Sequence, residues 1–447
     1  MNILHYSLGL PPYRSGGLTL YVTSIIDQQK DNGHNLFLLY PGSVNFNYPK
    51  MEIIQKKHTK NISIFELKNP YPIPLLYGVR EPQDFYYKKG IKINIFKEFL
   101  QRLSIDIVHL HTIMGLPIEF LEAAHSLKIK IIFTTHDYYG LCLKVNFINE
   151  KQNLCNTINA QSCAYCNINS PKTLFLRIRN EHIVLQFKKL LRKILSKNAI
   201  IRTSYPIKYP EIPSTQINNY KTLIQYYQNI FQLIDKIHFN STTTKEHYLK
   251  YIKPNSFVTI PITNSNIKDN RSLKKFNKEK LKIGFIGSTE PYKGFPILKK
   301  ILLKIQHAHD YQWNLYVYGG NEGIDNECKN IIYKGKYSVH ELKKIYDSID
   351  LLIVPSTWKE TFSFVTLEAL SYGTPTIVSH NVGAKDIVKE YNSKFIYKTE
   401  IELYNLILEL LTDRNELINF NRILIEKQWS HSIQEHCQKI EQYLYKY

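Results

Sequence analysis

No stretch of the chain approaches the roughly 18 consecutive apolar residues that a helix needs to span a bilayer, so a transmembrane helix is excluded. The amino-terminal Met1-Asn-Ile-Leu-His-Tyr-Ser-Leu8 has neither a basic leader nor a small-residue cleavage site. It reads as a first strand, and the expected location is the cytoplasm. Acidic residues are short, 38 against 58 lysines and arginines, which leaves a net charge of +20. That imbalance attracts anionic partners: nucleic acid, an anionic membrane leaflet or a phosphate-bearing substrate. The chain holds no zinc finger, RRM-type aromatic motif or basic zipper, so a nucleic-acid partner is not expected. Much of the charge is lysine scattered among Asn and Ile, which biased composition alone would also produce. No Gly-x-Gly-x-x-Gly occurs either, and no NAD site is implied.

What is present is long and ordinary in composition. A chain of 447 residues with 43% hydrophobic and 21% charged residues is too long for one core, which predicts two soluble domains. Short apolar runs alternate with helix-length spacers, the pattern of an open α/β sheet. In the first half the strand candidates are Asn2–Tyr6, Leu36–Tyr40, Ile105–Leu110, Lys130–Thr134 and Lys236–Asn240. The pattern restarts with Leu281–Gly287, Trp313–Tyr318, Asn330–Tyr333, Leu351–Val354 and Thr376–Ser379. The polar stretch Ile262–Lys280 separates the halves, so the expected domains are 1–265 and 266–428, with a closing helix over 429–447. Two Rossmann-like domains would then face each other across a cleft. Ligands of such sheets sit at the carboxyl ends of the strands, and those loops are where chemistry is sought.

The richest of them is Trp358-Lys-Glu-Thr-Phe-Ser-Phe-Val-Thr-Leu-Glu-Ala-Leu-Ser-Tyr-Gly-Thr-Pro375. It follows a strand, opens into a helix from about Phe364 to Tyr372, and ends on glycine then proline. A helix entrance offers unpaired N–H groups to an anion, and Glu360 and Glu368 offer carboxylates to vicinal hydroxyls. Phosphate cradle and carboxylates together suggest a sugar nucleotide. Two solvated glutamates on a helix face would be the plain alternative.

Three further strand-end loops fit the same reading. Gly9 to Gly17 brings Gly16 and Gly17 to a helix entrance near Thr19, where backbone approaches a ligand closely, or simply turns. Phe133-Thr-Thr-His-Asp137 puts His136 at a strand end, able to bond a sugar hydroxyl or move a proton. Gly287-Ser-Thr-Glu-Pro-Tyr-Lys-Gly294 places Lys293 where a point charge meets a diphosphate, unless it is only a surface lysine.

Together these motifs resemble the retaining glycosyltransferases of family 4, nucleotide-sugar enzymes with the two-domain GT-B fold. The resemblance runs through Gly16-Gly17, His109-Leu-His111, His136-Asp137, Lys293-Gly294, Gly335 ahead of a helix at His340, and Glu360 to Pro375. It extends to Trp429–Leu444, which is similar to the helix that crosses back onto the N-terminal domain in that fold. The resemblance implies that Glu360 contacts the donor sugar, Glu368 the ribose, the backbone at Phe364 and Val365 the sugar or phosphate, and Lys293 the diphosphate. His136 would lie near the acceptor, and no cofactor is required for the transfer, because the leaving phosphate takes the acceptor's proton during front-face attack. Two positions depart from the family: Ser288 replaces an arginine that would meet the diphosphate, and Ser363 replaces a glycine.

Four of the six cysteines, Cys142, Cys155, Cys163 and Cys166, crowd into one insertion, residues 142–166. In a reducing cytoplasm they are either free thiols or the ligands of a structural zinc. From Phe175 to Lys197 a basic amphipathic pattern suits either an anionic leaflet or packing on the domain core with a solvated basic face. The expected protein is a cytoplasmic enzyme, peripheral on the inner face of the plasma membrane. It would move a sugar from a UDP- or GDP-type donor to a growing, lipid-linked glycan such as lipopolysaccharide, capsule or exopolysaccharide. The alternative keeps the GT-B fold as a catalytically weak scaffold subunit of a glycan-assembly complex.

Overall fold

A computed structural model of the chain describes all residues except 11–13, 15, 47–48, 57–61, 88–89, 180–210, 277–278, 310 and 447. The chain divides into two compact units. The first comprises Met1–His238, Tyr248–Val258 and Ile440–Tyr447, and the second Phe239–His247 and Thr259–Lys439.

The first unit is built on an eight-stranded sheet. In chain order its elements are β1 (Asn2–Tyr6), α1 (Gly17–Asp31), β2 (Asn35–Pro41), β3 (Glu52–Gln55), β4 (Ser63–Lys68), α2 (Ile93–Arg102), β5 (Ile107–Leu110), α3 (Ile118–Ser126), β6 (Lys130–Thr134), α4 (Ala160–Asn167), α5 (Thr173–Arg179), α6 (Ser214–Gln232), β7 (Lys236–Phe239) and β8 (Phe257–Thr259); α7 (Thr242–Tyr248), between the last two strands, belongs to the second unit apart from Tyr248. The spatial order is β3-β4-β2-β1-β5-β6-β7-β8, with β3 antiparallel to β4 and the pairs from β4 through β7 parallel. The chain starts in the middle of the sheet, grows one way through β2 and β4, then returns to grow the other way from β5. The reversal falls between β1 and β5, where ligands of such sheets collect.

The second unit repeats the plan. It contains β9 (Leu281–Ile286), α8 (Phe295–Ala308), β10 (Trp313–Tyr318), β11 (Glu322–Ile324), β12 (Ile331–Gly335), α9 (Leu342–Ser348), β13 (Leu351–Val354), α10 (Phe364–Ser371), β14 (Thr376–Ser379), α11 (Lys385–Tyr391), β15 (Ile396–Tyr397), α12 (Glu400–Thr412), α13 (Asn415–Glu426) and α14 (Ile433–Ile440). Its seven strands lie in the order β11-β12-β10-β9-β13-β14-β15, all parallel except β11. Here the reversal lies between β9 and β13. Helix α8 shows how the pattern works: Phe295, Leu298, Ile301, Leu302 and Ile305 are buried at helical spacing, while Lys299, Lys300 and Lys304 stand off that face.

All ten expected strands are present, and β3, β4, β8, β11 and β15 come in addition. Strand β4 was hidden by Glu66, a carboxylate at 1% exposure in its middle. Ser43 satisfies it with a backbone N–H and a hydroxyl, both at 2.7 Å, and Lys56 forms its ion pair. Those bonds hold its pKa below the usual carboxylate range despite burial. The others are short edge strands without an apolar run of their own.

The last residues of the chain, Ile440 onward, belong to the first unit, in keeping with a closing helix that returns there. Their carbonyls accept from two lysines that open strands: Lys236 Nζ meets Tyr443 O at 2.7 Å, and Lys130 Nζ meets Lys446 O at 2.8 Å. Cations at a helix's carboxyl end satisfy carbonyls left without intrahelical donors.

The same segment closes a buried hydrogen-bond chain. Gln29 Oε1 only accepts, so His5 donates from Nε2 (2.9 Å) and accepts at Nδ1 from His111 Nε2 (3.0 Å). On its other side Gln29 Nε2 donates to the Tyr445 hydroxyl (2.8 Å), which lies 2.8 Å from His109 Nδ1. His109 Nε2 meets Thr134 Oγ1 at 2.7 Å, and Thr134 Oγ1 meets His238 Nδ1 at 3.0 Å. Donating at one nitrogen and accepting at the other requires a neutral His5, and burial supplies it: the His5 pKa is pushed down to about 4, and that of His111 falls well below its ordinary value.

Tyr445→Phe removes a hydroxyl that serves both Gln29 and His109 in a site without water access. We expect a loss of about 1–3 kcal/mol in denaturant unfolding, with faster amide exchange confined first to the carboxyl-terminal segment. Unchanged stability and exchange would show that the chain of bonds carries no structural weight.

Candidate functional site

In the second unit the loops after β9 and β13 meet at the point where strand order reverses. Their approach is set by Gly294, at φ 77°, which caps the start of α8 in a left-handed conformation. A Cβ there would stand 1.8 Å from the Pro355 carbonyl oxygen, so only glycine permits the contact. Tyr292 locks the loops further: its carbonyl accepts from Thr357 N at 2.9 Å, and its ring meets Trp358 edge-on with centroids 6.0 Å apart.

That packing delivers Lys293 to Glu360. Nζ lies 2.8 Å from Glu360 Oε1 and 5.2 Å from the Trp358 ring centroid, and Ser356 Oγ donates to Glu360 Oε2 at 2.5 Å. The side chains are 26% and 12% exposed, so the pair is sheltered and reachable from solvent. The Glu360 backbone is equally constrained. Carbonyls of three consecutive residues accept bonds: Glu360 from Gly383 N (2.9 Å), Thr361 from Ser241 Oγ (2.7 Å) and Thr244 Oγ1 (3.0 Å), and Phe362 from Ala384 N (2.8 Å).

Next comes Ser363 at φ 107°, a conformation that favours glycine, leading into α10 with Phe364 and Val365 as its first residues. The helix ends as its sequence predicts, with Gly373 at φ 76° and Pro375 beyond. Glu368 lies along α10 and accepts from the Tyr346 hydroxyl at 3.3 Å, while Tyr346 stacks on Tyr372 with centroids 5.2 Å apart. Burial pushes the Glu368 pKa up to about 7. Ser288 is exposed, and its hydroxyl accepts from Glu290 N at 3.4 Å.

The remaining singled-out residues are in the first unit. Gly16 has φ 124° with open space where a Cβ would be, and Gly17 begins α1. His136 follows β6, with its ring 4.9 Å from that of Tyr21 and 5.7 Å from that of His111. Burial lowers its pKa to about 3 and raises that of Asp137, whose Oδ1 accepts from Tyr139 N at 2.8 Å, to about 6. Cys142, Cys155, Cys163 and Cys166 line one cavity of about 570 Å³ in the insertion. Thus Lys293 and Glu360 are in direct contact, Ser288, Phe364, Val365 and Glu368 are distributed over the loops and helix around them, and Gly16, Gly17 and His136 stand at strand ends of the other sheet. Sequence reasoning missed Ser356, Tyr346 and Tyr372, whose roles appear only through the contacts just given. Of the expected basic helix, Phe175–Arg179 falls within α5, and residues 180–197 lie outside the described residues.

Residues 266–427 match the family profile described as glycosyl transferases group 1. The chain therefore carries a domain of that type, and the two sheets have the GT-B fold. An uncharacterized glycosyltransferase of Methanocaldococcus jannaschii is 31% identical over 137 residues, 28% of this chain and 34% of that protein. An uncharacterized 41.2 kDa protein from the cps region of Klebsiella pneumoniae is 30% identical over 116 residues, 25% of this chain and 31% of that one. The chain thus spans about a third of the length of these relatives. Among solved structures, Anabaena HepE in complex with UDP and glucose superposes with a TM-score of 0.55 at 13% identity, covering 100% of this chain and 99% of that one. Sucrose-phosphate synthase from Thermosynechococcus elongatus gives 0.54 at 13% identity and 99% coverage of both.

Burial of Glu368 makes stability depend on pH. Its folded pKa of about 7 lies above the ordinary 4.5, so the folded protein holds the proton more tightly and stability falls as pH rises through that interval. Glu368→Gln removes the buried charge. We expect a higher Tm than wild type at pH 8 and a difference that closes by pH 4; a constant difference across pH would contradict the burial argument.

Proposed function

We propose that the chain is a retaining glycosyltransferase that moves a sugar from a nucleotide-diphosphate sugar to a growing, lipid-linked glycan. The observation that carries the reading is the Lys293–Glu360 pair, at 2.8 Å, on two loops of the segment that matches group 1 glycosyltransferases. UDP is the first donor nucleotide to test, because HepE was crystallised with it.

In this reading Lys293 turns from Glu360 to the donor's diphosphate, where an ammonium offsets the charge that grows as the sugar–phosphate bond breaks. Glu360, released from the lysine and still held by Ser356, accepts from the sugar hydroxyls. The acceptor oxygen bonds to the anomeric carbon on the face the diphosphate leaves, and the acceptor's proton passes to the departing phosphate oxygen. Atoms and charge balance without a protein base. Glu368, on α10, accepts from the ribose hydroxyls, and the N–H groups at Phe364 and Val365 face the donor. Ser288 supplies no charge, so Lys293 carries more of the diphosphate binding than it would beside an arginine.

The test is thermal shift with UDP, GDP, ADP and CMP, followed by variants on the best nucleotide. Lys293→Ala weakens binding about tenfold or more, equivalent to about 1.4 kcal/mol. Glu360→Ala behaves oppositely in the two assays: it keeps or tightens nucleotide binding, since the lysine loses its competing carboxylate, while sugar transfer falls by about 100-fold. No stabilisation by any of the four nucleotides would turn the reading toward a scaffold subunit. Unchanged binding in Lys293→Ala would refute the diphosphate role.

A lipid-linked acceptor calls for a membrane-facing surface, and one observation favours it. On the first unit Leu76, Leu174, Phe175 and Ile178 are 44–60% exposed, and Arg179 stacks on the neighbouring Tyr77 at 4.1 Å from its centroid. Apolar side chains beside arginines suit the boundary between headgroups and acyl chains. Among the described residues no helix is long and apolar enough to cross a membrane, so contact would be peripheral. Co-sedimentation with vesicles containing phosphatidylglycerol is expected, weaker in Leu174→Ser/Phe175→Ser; equal binding to neutral vesicles would remove the electrostatic part of the proposal.

A further inference from the structure

The cysteine insertion is independent of the donor loops, and its architecture asks for an explanation of its own. Cys142 sits in a turn closed by Val145 N to Cys142 O at 2.9 Å. Its sulfur accepts the backbone N–H of Phe147 at 3.4 Å, and Lys144 N–H is directed at the same atom. A short bridge between Ile148 and Leu154, with Cys155 N donating to Phe147 O at 2.7 Å, folds Cys155 back beside that turn. Cys163 and Cys166 are placed by α4, whose start is capped by Asn159 accepting from Ser162 N at 2.8 Å.

Three separate local devices, a turn, a bridge and a capped helix, therefore bring four thiols to one cavity of about 570 Å³. The insertion is anchored around it, by Phe147 stacked on Tyr251 at 5.6 Å and by Asn167 Oδ1 accepting from Val79 N at 2.8 Å. Lys144, which bonds to Cys166, lines the same cavity.

We propose that Cys142, Cys155, Cys163 and Cys166 bind one structural zinc ion that draws the turn, the bridge and α4 together. A tetrahedral site with Zn–S bonds of about 2.3 Å puts the sulfurs about 3.8 Å apart. No three of these thiols lie within 4.8 Å of one another, so the metal closes the cavity upon binding, with the four thiol protons released to solvent. Among the described residues the ligand atoms that do meet that spacing belong to His5, His109 and His111. Those histidines are already engaged in the buried chain with Gln29, Tyr445 and Thr134, which a metal would have to break.

The experiment uses the full chain purified without chelator or histidine tag. Elemental analysis is expected to give one zinc per chain, retained through dialysis and released by a mercurial at four equivalents. After removal of zinc under reducing conditions, Co²⁺ restores a one-to-one complex with sulfur-to-cobalt charge-transfer bands and intense tetrahedral d–d bands. Cys155→Ser, the variant least demanding of the fold, is expected to lower the extinction of the charge-transfer bands by about a quarter and to weaken zinc retention. Protein free of zinc as purified that also takes up Co²⁺ without thiolate bands would overturn the proposal, as would wild-type bands in Cys155→Ser. None of these readouts depends on sugar transfer, so they stand or fall separately from the proposed activity.

Discussion

The second unit turns on a contact between two backbones. Because Gly294 has no Cβ, the loop after β9 lies directly on the Pro355 carbonyl at the end of β13. Any side chain would hold the two loops apart and disturb the approach that brings Lys293 to Glu360. The sheet contributes the reversal of strand order that makes these loops neighbours, and the glycine converts neighbours into contact. A lysine next to a glycine is a weak signal in a lysine-rich chain. It gains meaning from the residue that the glycine lets it touch.

The pair itself is a competition held in balance. In a chain with 58 basic and 38 acidic residues, Lys293 is one of the lysines that find a carboxylate. A partly buried ion pair gains little net stability over its separate solvated members. It does hold both groups in place at the junction of the two loops. The proposed exchange of an internal counter-ion for a ligand's rests on that arrangement.

Much of this was legible in the residues. The strands that alternate with helices, the Glu360 to Pro375 stretch and the end of α10 at Gly373-Thr-Pro375 depend on local chemistry, namely apolar period, glycine dihedrals and proline. What escaped the sequence depends on pairs far apart along it. Strand β4 carries its buried Glu66 only because Ser43 and Lys56 satisfy it, and nothing within Ser63–Lys68 announces those partners. The chain from His111 to His238 joins residues of β1, α1, β5, β6 and β7 with Tyr445, and no spacing encodes it. Ser356 is four residues from Glu360 and was equally silent, because its role follows from the turn at Trp358 and not from its type.

Ser363 joins both kinds of information. The resemblance to glycosyltransferases marked it as a departure from glycine, and the structure gives the reason glycine suits the position: φ is 107°, which costs a side-chain-bearing residue about 1–3 kcal/mol. Such a conformation survives only where its neighbours leave no other path. Here the carbonyls of Glu360, Thr361 and Phe362 are each bound by groups from α7, its preceding turn or the residues leading into α11. On the other side α10 fixes the direction of departure, and Thr366 Oγ1 donates to the Ser363 hydroxyl at 3.1 Å, returning part of the cost. Relaxing Ser363 would therefore require moving either Glu360 or the first N–H groups of α10. The strain is the consequence of holding a carboxylate and a helix entrance at fixed positions on either side of one residue.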